Sequence, residues 1–139
     1  MNKQKQIEEE VLKIGVKAKE ASLRISLLSS QKKNDVLLDA ADNIKKNKKL
    51  IIEHNSIDIE ENKKKLNSSL LDRLMLDSDR IDSICKGLVE ISELDDPIGK
   101  ILAEWKRPNG LKIQKVSIPL GVIGVIYESR PNVAADAAG

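Results

Sequence analysis

Aromatic residues are almost absent from this chain: one Trp, one Tyr and no Phe in 139 residues. A core must therefore be assembled from Leu, Ile, Val and Ala, and the ring platforms on which single-stranded nucleic acid stacks are missing. Cysteine and histidine are as scarce, with one of each. Cys85 alone closes no disulfide within the chain, and one Cys beside one His argues against the usual zinc ligand sets, so no metal site is expected. An excess of one charge is lacking too, since 24 basic residues face 22 acidic ones for a net +2. That balance supplies no basic stripe for a phosphate backbone, and nucleic-acid binding ranks far below other functions. No run approaches the roughly 18 apolar residues of a membrane span. The opening "MNKQKQIEEEVLKIG" has no apolar signal core. A lone thiol suits a reducing compartment, so the expectation is a cytoplasmic protein without a membrane partner.

What the chain does have is helical patterning over its first two thirds. Ile7, Val11, Ile14, Ala18, Ala21, Ile25 and Leu28 recur at steps of three and four, which places them on one face of a helix from about Lys5 to Leu28. Ser29 or Ser30 can cap a second helix with Val36, Leu37, Ala40, Ala41 and Ile44 on its apolar face. A break at Lys45 to Lys49 precedes a third, less regular helix carrying Leu50, Ile51, Ile57 and Leu66. "NSSLLDRLML" reads as a short helix capped by Ser68 or Ser69. Asp77 or Ser78 then opens a helix whose stripe is Ile81, Ile84, Cys85, Leu88 and Ile91. On that stripe Cys85 is expected to be an inert buried thiol. His54 and the lysine runs at 45–49 and 63–65 read as solvated surface.

After Pro97 the grammar changes. "RPNG" (Arg107 to Gly110) reads as a turn, "LKIQKVSI" tends to alternate, and "GVIGVI" is a short unbroken apolar run. Two strands are expected, the second buried on both faces as in a parallel sheet. Such a strand needs sheet neighbours and covering helices, and the remaining "VAADAAG" provides only a helix start. Left alone, Val122 to Ile126 would be an uncharged edge prone to association. The expectation is therefore a fragment, or a chain completed by a partner. Gly121 and Gly124 lack the third glycine of a dinucleotide fingerprint.

Ligands of open α/β sheets bind beyond the carboxyl ends of strands, and Glu128 to Asn132 stands at such an end. Arg130 could clasp a phosphate or carboxylate through paired hydrogen bonds. Asn132 could donate to an oxygen gaining negative charge. The plainer alternative is that Ser129 or Asn132 caps the next helix while Arg130 pairs with Glu128 or another carboxylate.

"IPLGVIGVIYESRPNVAADAAG", together with "LSSQKKNDVLLDAAD", "LLDRLMLDSDRI" and "LDDPIGKI" in that order, closely resembles the gamma-glutamyl phosphate reductases. These are also called glutamate-5-semialdehyde dehydrogenases and belong to the aldehyde dehydrogenase superfamily. Ala134 stands where the family commonly has Thr, and "EWKRPNGLKIQKV" is a looser match. The resemblance implies an α/β fold in which a helical N-terminal segment (1–106) leads into the truncated start of a Rossmann-like cofactor domain (107–139). It implies NADPH as cofactor and reduction of gamma-glutamyl phosphate to glutamate semialdehyde and phosphate in proline biosynthesis. The nucleophilic cysteine would lie past Gly139, so the chain alone is expected to be inactive and the full-length enzyme to be a homo-oligomer.

By the same resemblance Tyr127, Glu128, Ser129 and Pro131 face the cofactor, Arg130 binds an anionic group of the substrate, and Asn132 is the oxyanion donor. Superfamily relatives usually carry Pro-Trp-Asn here, and ungapped alignment would instead put Arg130 at the oxyanion position. The competing reading is a non-catalytic helical interaction module that completes its sheet with a partner chain.

Overall fold

The computed structural model describes residues 2–139, in six helices and one two-stranded sheet among those residues. They are α1 (Lys3–Ile25), α2 (Ser30–Lys46), α3 (Lys48–Asn62), α4 (Ser68–Leu74), α5 (Ser78–Ser92), β1 (Ile101–Lys106), β2 (Lys112–Val116) and α6 (Val133–Ala138). The chain divides into two compact units. One comprises the residues up to Ser29 with Asp95–Gly124, and the other comprises Ser30–Leu94 with Val125–Gly139.

In the first unit, the apolar stripe of α1 forms as its periodicity predicts, but no residue of the helix is buried. Ile7, Val11 and Ile14 all face solvent. β1 and β2 pair antiparallel, with Glu104 opposite Gln114 and Trp105 opposite Ile113. The turn between them is the expected "RPNG": Arg107 donates to the Leu111 carbonyl at 2.9 Å, and Gly110 to that of Arg107 at 2.9 Å. Gly110 sits at φ 85°, a region that L side chains avoid.

The sheet corrects the sequence reading twice. "LKIQKV" is a strand, but its partner is Ile101–Lys106, which shows no clean alternation and was not expected to be one. Val122 to Ile126 forms no strand: it has no ladder bonds, and Val122, Ile123, Val125 and Ile126 are exposed rather than buried. Hydrophobic content alone does not make a strand. A parallel strand exists through its neighbours' hydrogen bonds, and none reaches this segment among the described residues.

The second unit holds the buried core. α5 presents Ile81, Cys85, Leu88 and Ser92, at steps of four, three and four, to α2. Ile81 is 1% exposed and packs with Ala41, Cys85 and Leu88 inside a shell that includes Leu37, Ile44, Ile52 and Leu76. Cys85 is buried as expected, its Sγ donating to the Ala41 carbonyl at 3.4 Å. His54 is exposed, also as expected.

Several boundaries shift: α1 ends at Ile25, short of the expected Leu28, and α3 at Asn62, short of Leu66. The break between α2 and α3 is Asn47 alone rather than the whole lysine run. The cap of α4 is Asn67, whose side-chain oxygen accepts from Leu70 N at 2.9 Å, rather than either serine. Asn is at least as good a cap as Ser, and it stands one residue ahead of the serines. Asp77 caps α5 by accepting from Arg80 N at 2.8 Å.

Candidate functional site

The loop from Tyr127 to Asn132 leads into α6, and α6 rests on α5. A Cβ placed on Gly139 would meet Ile91 Cδ1 at 2.9 Å and Leu88 Cδ2 at 3.1 Å, so the end of the helix lies tight on the core. Ser129 has φ 51°. A serine in the left-handed region is uncommon, and here it turns the chain immediately before Arg130. Asn132 begins α6 with αR backbone and makes no side-chain cap bond. Its Nδ2 instead donates to Asp136 Oδ2 at 2.7 Å, one turn on. A primary amide carries two N–H donors, so this contact fixes the amide and leaves the second donor free.

Arg130 and Asn132 line the same cleft, of about 430 Å³. The rest of the lining comes from α4, the segment after it and α5, with Arg73, Met75, Arg80 and Ile84 among its residues. This part is built by two polar latches. In α3 the buried Asn55 donates to the Leu74 carbonyl at 2.8 Å and accepts from Leu76 N at 2.6 Å, holding the chain where α4 ends. From α5, Arg80 reaches back to the end of α4. It donates to Asp72 Oδ1 at 2.8 Å, to the Met75 carbonyl at 2.9 Å and to the Asp72 carbonyl. Carbonyls at a helix end have no partner within the helix, and a guanidinium fork meets several acceptors at once.

The three arginines of the cleft therefore differ. Arg80 is committed to Asp72. Arg73 and Arg130 are exposed, and neither side chain has a hydrogen bond or ion pair among the described residues. The plainer alternative for Arg130, pairing with Glu128 or another carboxylate, is not observed among the described residues. The capping alternative for Asn132 is not observed either.

Of the other sequence candidates, none lines the cleft. Tyr127 and Glu128 are exposed, and Ser129 and Pro131 are half-buried. Sequence reasoning did not single out Arg73, Arg80, Asn55 or Asp136. The spacing holds no signal for the first two, because the break at Met75–Asp77 separates the helices that carry them.

No family model matches the chain. A gamma-glutamyl phosphate reductase from Clostridium tetani is 51% identical over 124 residues, which are 88% of this chain and 29% of that protein. One from Geotalea daltonii is 47% identical over 133 residues, 95% of this chain and 32% of that protein. The likeness is to the N-terminal third of gamma-glutamyl phosphate reductase. Two solved structures of that enzyme agree. The one from Thermotoga maritima superposes with a TM-score of 0.89 at 36% identity, covering 93% of this chain and 31% of that one. The Saccharomyces cerevisiae enzyme gives 0.85 at 35% identity over 90% and 32%. The resemblance read from "PLGVIGVIYESRPNV" and its companions is thus borne out over nearly the whole chain. The chain spans about 30% of the length of the relatives it matches.

Proposed function

We propose that this chain provides the N-terminal part of an NADPH-dependent gamma-glutamyl phosphate reductase, which converts L-glutamyl 5-phosphate to L-glutamate 5-semialdehyde and phosphate. The observation that carries the reading is the agreement of sequence and fold over nearly all of the chain. Residues 107–139 are read as the opening of the cofactor domain, with Val122–Ile126 as a strand once neighbouring strands supply its hydrogen bonds. Tyr127, Glu128, Ser129 and Pro131 are assigned to the face toward the cofactor, which supplies the hydride when bound. The full enzyme is read as a cytoplasmic homo-oligomer.

The chemistry assigned to this chain's own residues is electrostatic. A cysteine thiolate outside these residues would attack the acyl carbon and expel phosphate, and the cofactor, when bound, would supply the hydride that turns the resulting thioester into aldehyde and free thiolate. Cys85 does not serve, because it is buried among Ala41, Ile81 and Leu88. During each attack the carbonyl oxygen gains negative charge, and the free N–H of Asn132 is suited to donate to it. The contact with Asp136 sets the orientation of that amide before the substrate arrives. Arg130, with its guanidinium unpaired, takes an anionic group of the substrate.

The test replaces the N-terminal third of the Clostridium tetani reductase with this chain and measures phosphate-dependent NADP+ reduction with glutamate semialdehyde. The chimera is expected to turn over while the 139-residue chain alone does not. Asn132→Ala in the chimera should lower kcat by about 100-fold, the effect of one oxyanion donor. A folded chimera without turnover, or turnover by the isolated chain, refutes the reading. The exposed apolar run at Val122 to Ile126 favours one rival, a non-catalytic module that adds this segment to a partner's sheet. That rival predicts an inactive chimera.

A further inference from the structure

The cleft between α4, α5 and the start of α6 contains more positive charge than the internal pairs use. Its lining includes Arg73, Arg80 and Arg130 against Asp72 and Asp136. Arg80 and Asp72 neutralise each other. Asp136 binds the neutral amide of Asn132 and has no cation partner among the described residues. Two arginines that line one cleft, Arg73 from α4 and Arg130 from the loop before α6, thus have no counter-ion among the described residues. Like charges in one cleft repel unless an anion lies between them.

We propose that Arg73 and Arg130 form a two-armed clamp for a phosphate group. The inference rests on the reading of Arg130 as an anion-binding residue, and adds a second arm and a ligand class. A carboxylate has one charge and two oxygens. A phosphate carries up to two charges and at least three acceptor oxygens, enough to receive both guanidinium forks while outweighing the repulsion of Asp136. Apolar lining from Met75, Leu76 and Ile84 leaves room beside the phosphate for a short carbon chain.

The experiment titrates the 15N-labelled 139-residue chain at constant ionic strength with orthophosphate, acetyl phosphate and acetate, following the amide shifts of Arg130, Asn132 and Val133 and the arginine Nε–H signals. Saturable shifts are expected for the two phosphates and not for acetate. Arg73→Gln and Arg130→Gln, which keep the apolar stems, should each weaken phosphate binding about fivefold, and Asp136→Asn should strengthen it, as removal of an exposed like or opposite charge does. Tighter binding of acetyl phosphate than of orthophosphate would identify an acyl phosphate as the ligand. The reverse order would identify free phosphate, and either result supports the clamp.

Phosphate shifts that are unaltered in Arg73→Gln, or matched by acetate, overturn it. The helical circular dichroism of each variant checks that the fold is retained. An active chimera whose N-terminal part binds no phosphate would remove the clamp alone, whereas an inactive chimera beside intact phosphate binding would remove the functional reading alone.

Discussion

Asn55 offers the sharpest test of how the site is built. It is 6% exposed and makes two hydrogen bonds across the end of α4, to the Leu74 carbonyl and from the Leu76 amide. Asn55→Ala deletes both partners at once and leaves a backbone donor and a backbone acceptor in a part-buried place. An unsatisfied buried group costs about 1–3 kcal/mol, and partial access of water puts each of these toward the lower half of that range. The sum is about 2–4 kcal/mol, or about 30-fold to 700-fold in the folding equilibrium.

Urea unfolding followed by circular dichroism reads the loss, and hydrogen exchange at Leu76 locates it. A loss below about 0.5 kcal/mol, in the range of surface substitutions, would refute the latch. Asn55→Asp supplies the control. It keeps the acceptor for Leu76 but sets a carboxylate oxygen against the Leu74 carbonyl. Repulsion and burial raise the pKa of that carboxyl, so the damage should be greatest at neutral pH and ease as pH falls through the folded value. Loosening at Leu74 to Leu76 should also weaken phosphate binding at the neighbouring Arg73.

Ile81→Ala empties the most buried side chain of the core and should cost about 2–5 kcal/mol in urea unfolding. A Cys85 thiol shielded by Ala41, Ile81 and Leu88 should react with a disulfide reagent only on the timescale of unfolding. Fast stoichiometric labelling of the native chain would show that α2 and α5 do not close over it. In the hairpin, hydrogen bonds from Lys112 and Gln114 hold the Glu104 carboxyl below its ordinary value of 4.5. The stabilisation from Glu104 is therefore fully present above pH 4.5 and fades as pH falls through the lower folded value. Amide shifts across β1 and β2 should report an acid transition that Glu104→Gln abolishes, and a transition that survives would assign it to another group.

How much of this was legible in the sequence depends on whether the interaction is local. α5 was readable in full because Asp77 caps it and the steps from Ile81 to Leu88 declare its buried face. α1 was equally legible as a helix, yet its stripe is exposed, since periodicity states which face is apolar and says nothing of what covers it. The hairpin turn was visible in Arg107 to Gly110, but the β1 partner was not. Ile101 to Lys106 mixes apolar and charged residues without period two, and a bulge between Ile101 and Ala103 breaks the register that alternation would follow. Val122 to Ile126 shows the opposite error. Its composition announces a strand, and the hydrogen bonds that would make it one are not local.

The site divides along the same line. Arg130 and Asn132 were readable as candidates because a turn after an apolar run, ending in Arg-Pro-Asn, is a local signature. Their surroundings were not. Arg73 reaches the cleft only because Asn55, in α3, pins Leu74 and Leu76, and because Arg80, in α5, ties down the same end of α4. Neither contact joins residues at helical spacing, so no periodicity reports them. Asp72, next to Arg73 in α4, points away from it, as consecutive helix residues do, and pairs with Arg80. The same pair makes the charge of the cleft depend on α5 as well as on the loop. Arg80→Ala should accordingly leave the charge of Asp72 uncompensated in the cleft and weaken phosphate binding, although Arg80 itself is committed elsewhere. Phosphate affinity unchanged by Arg80→Ala would mean that Arg73 and Arg130 act without this division of partners.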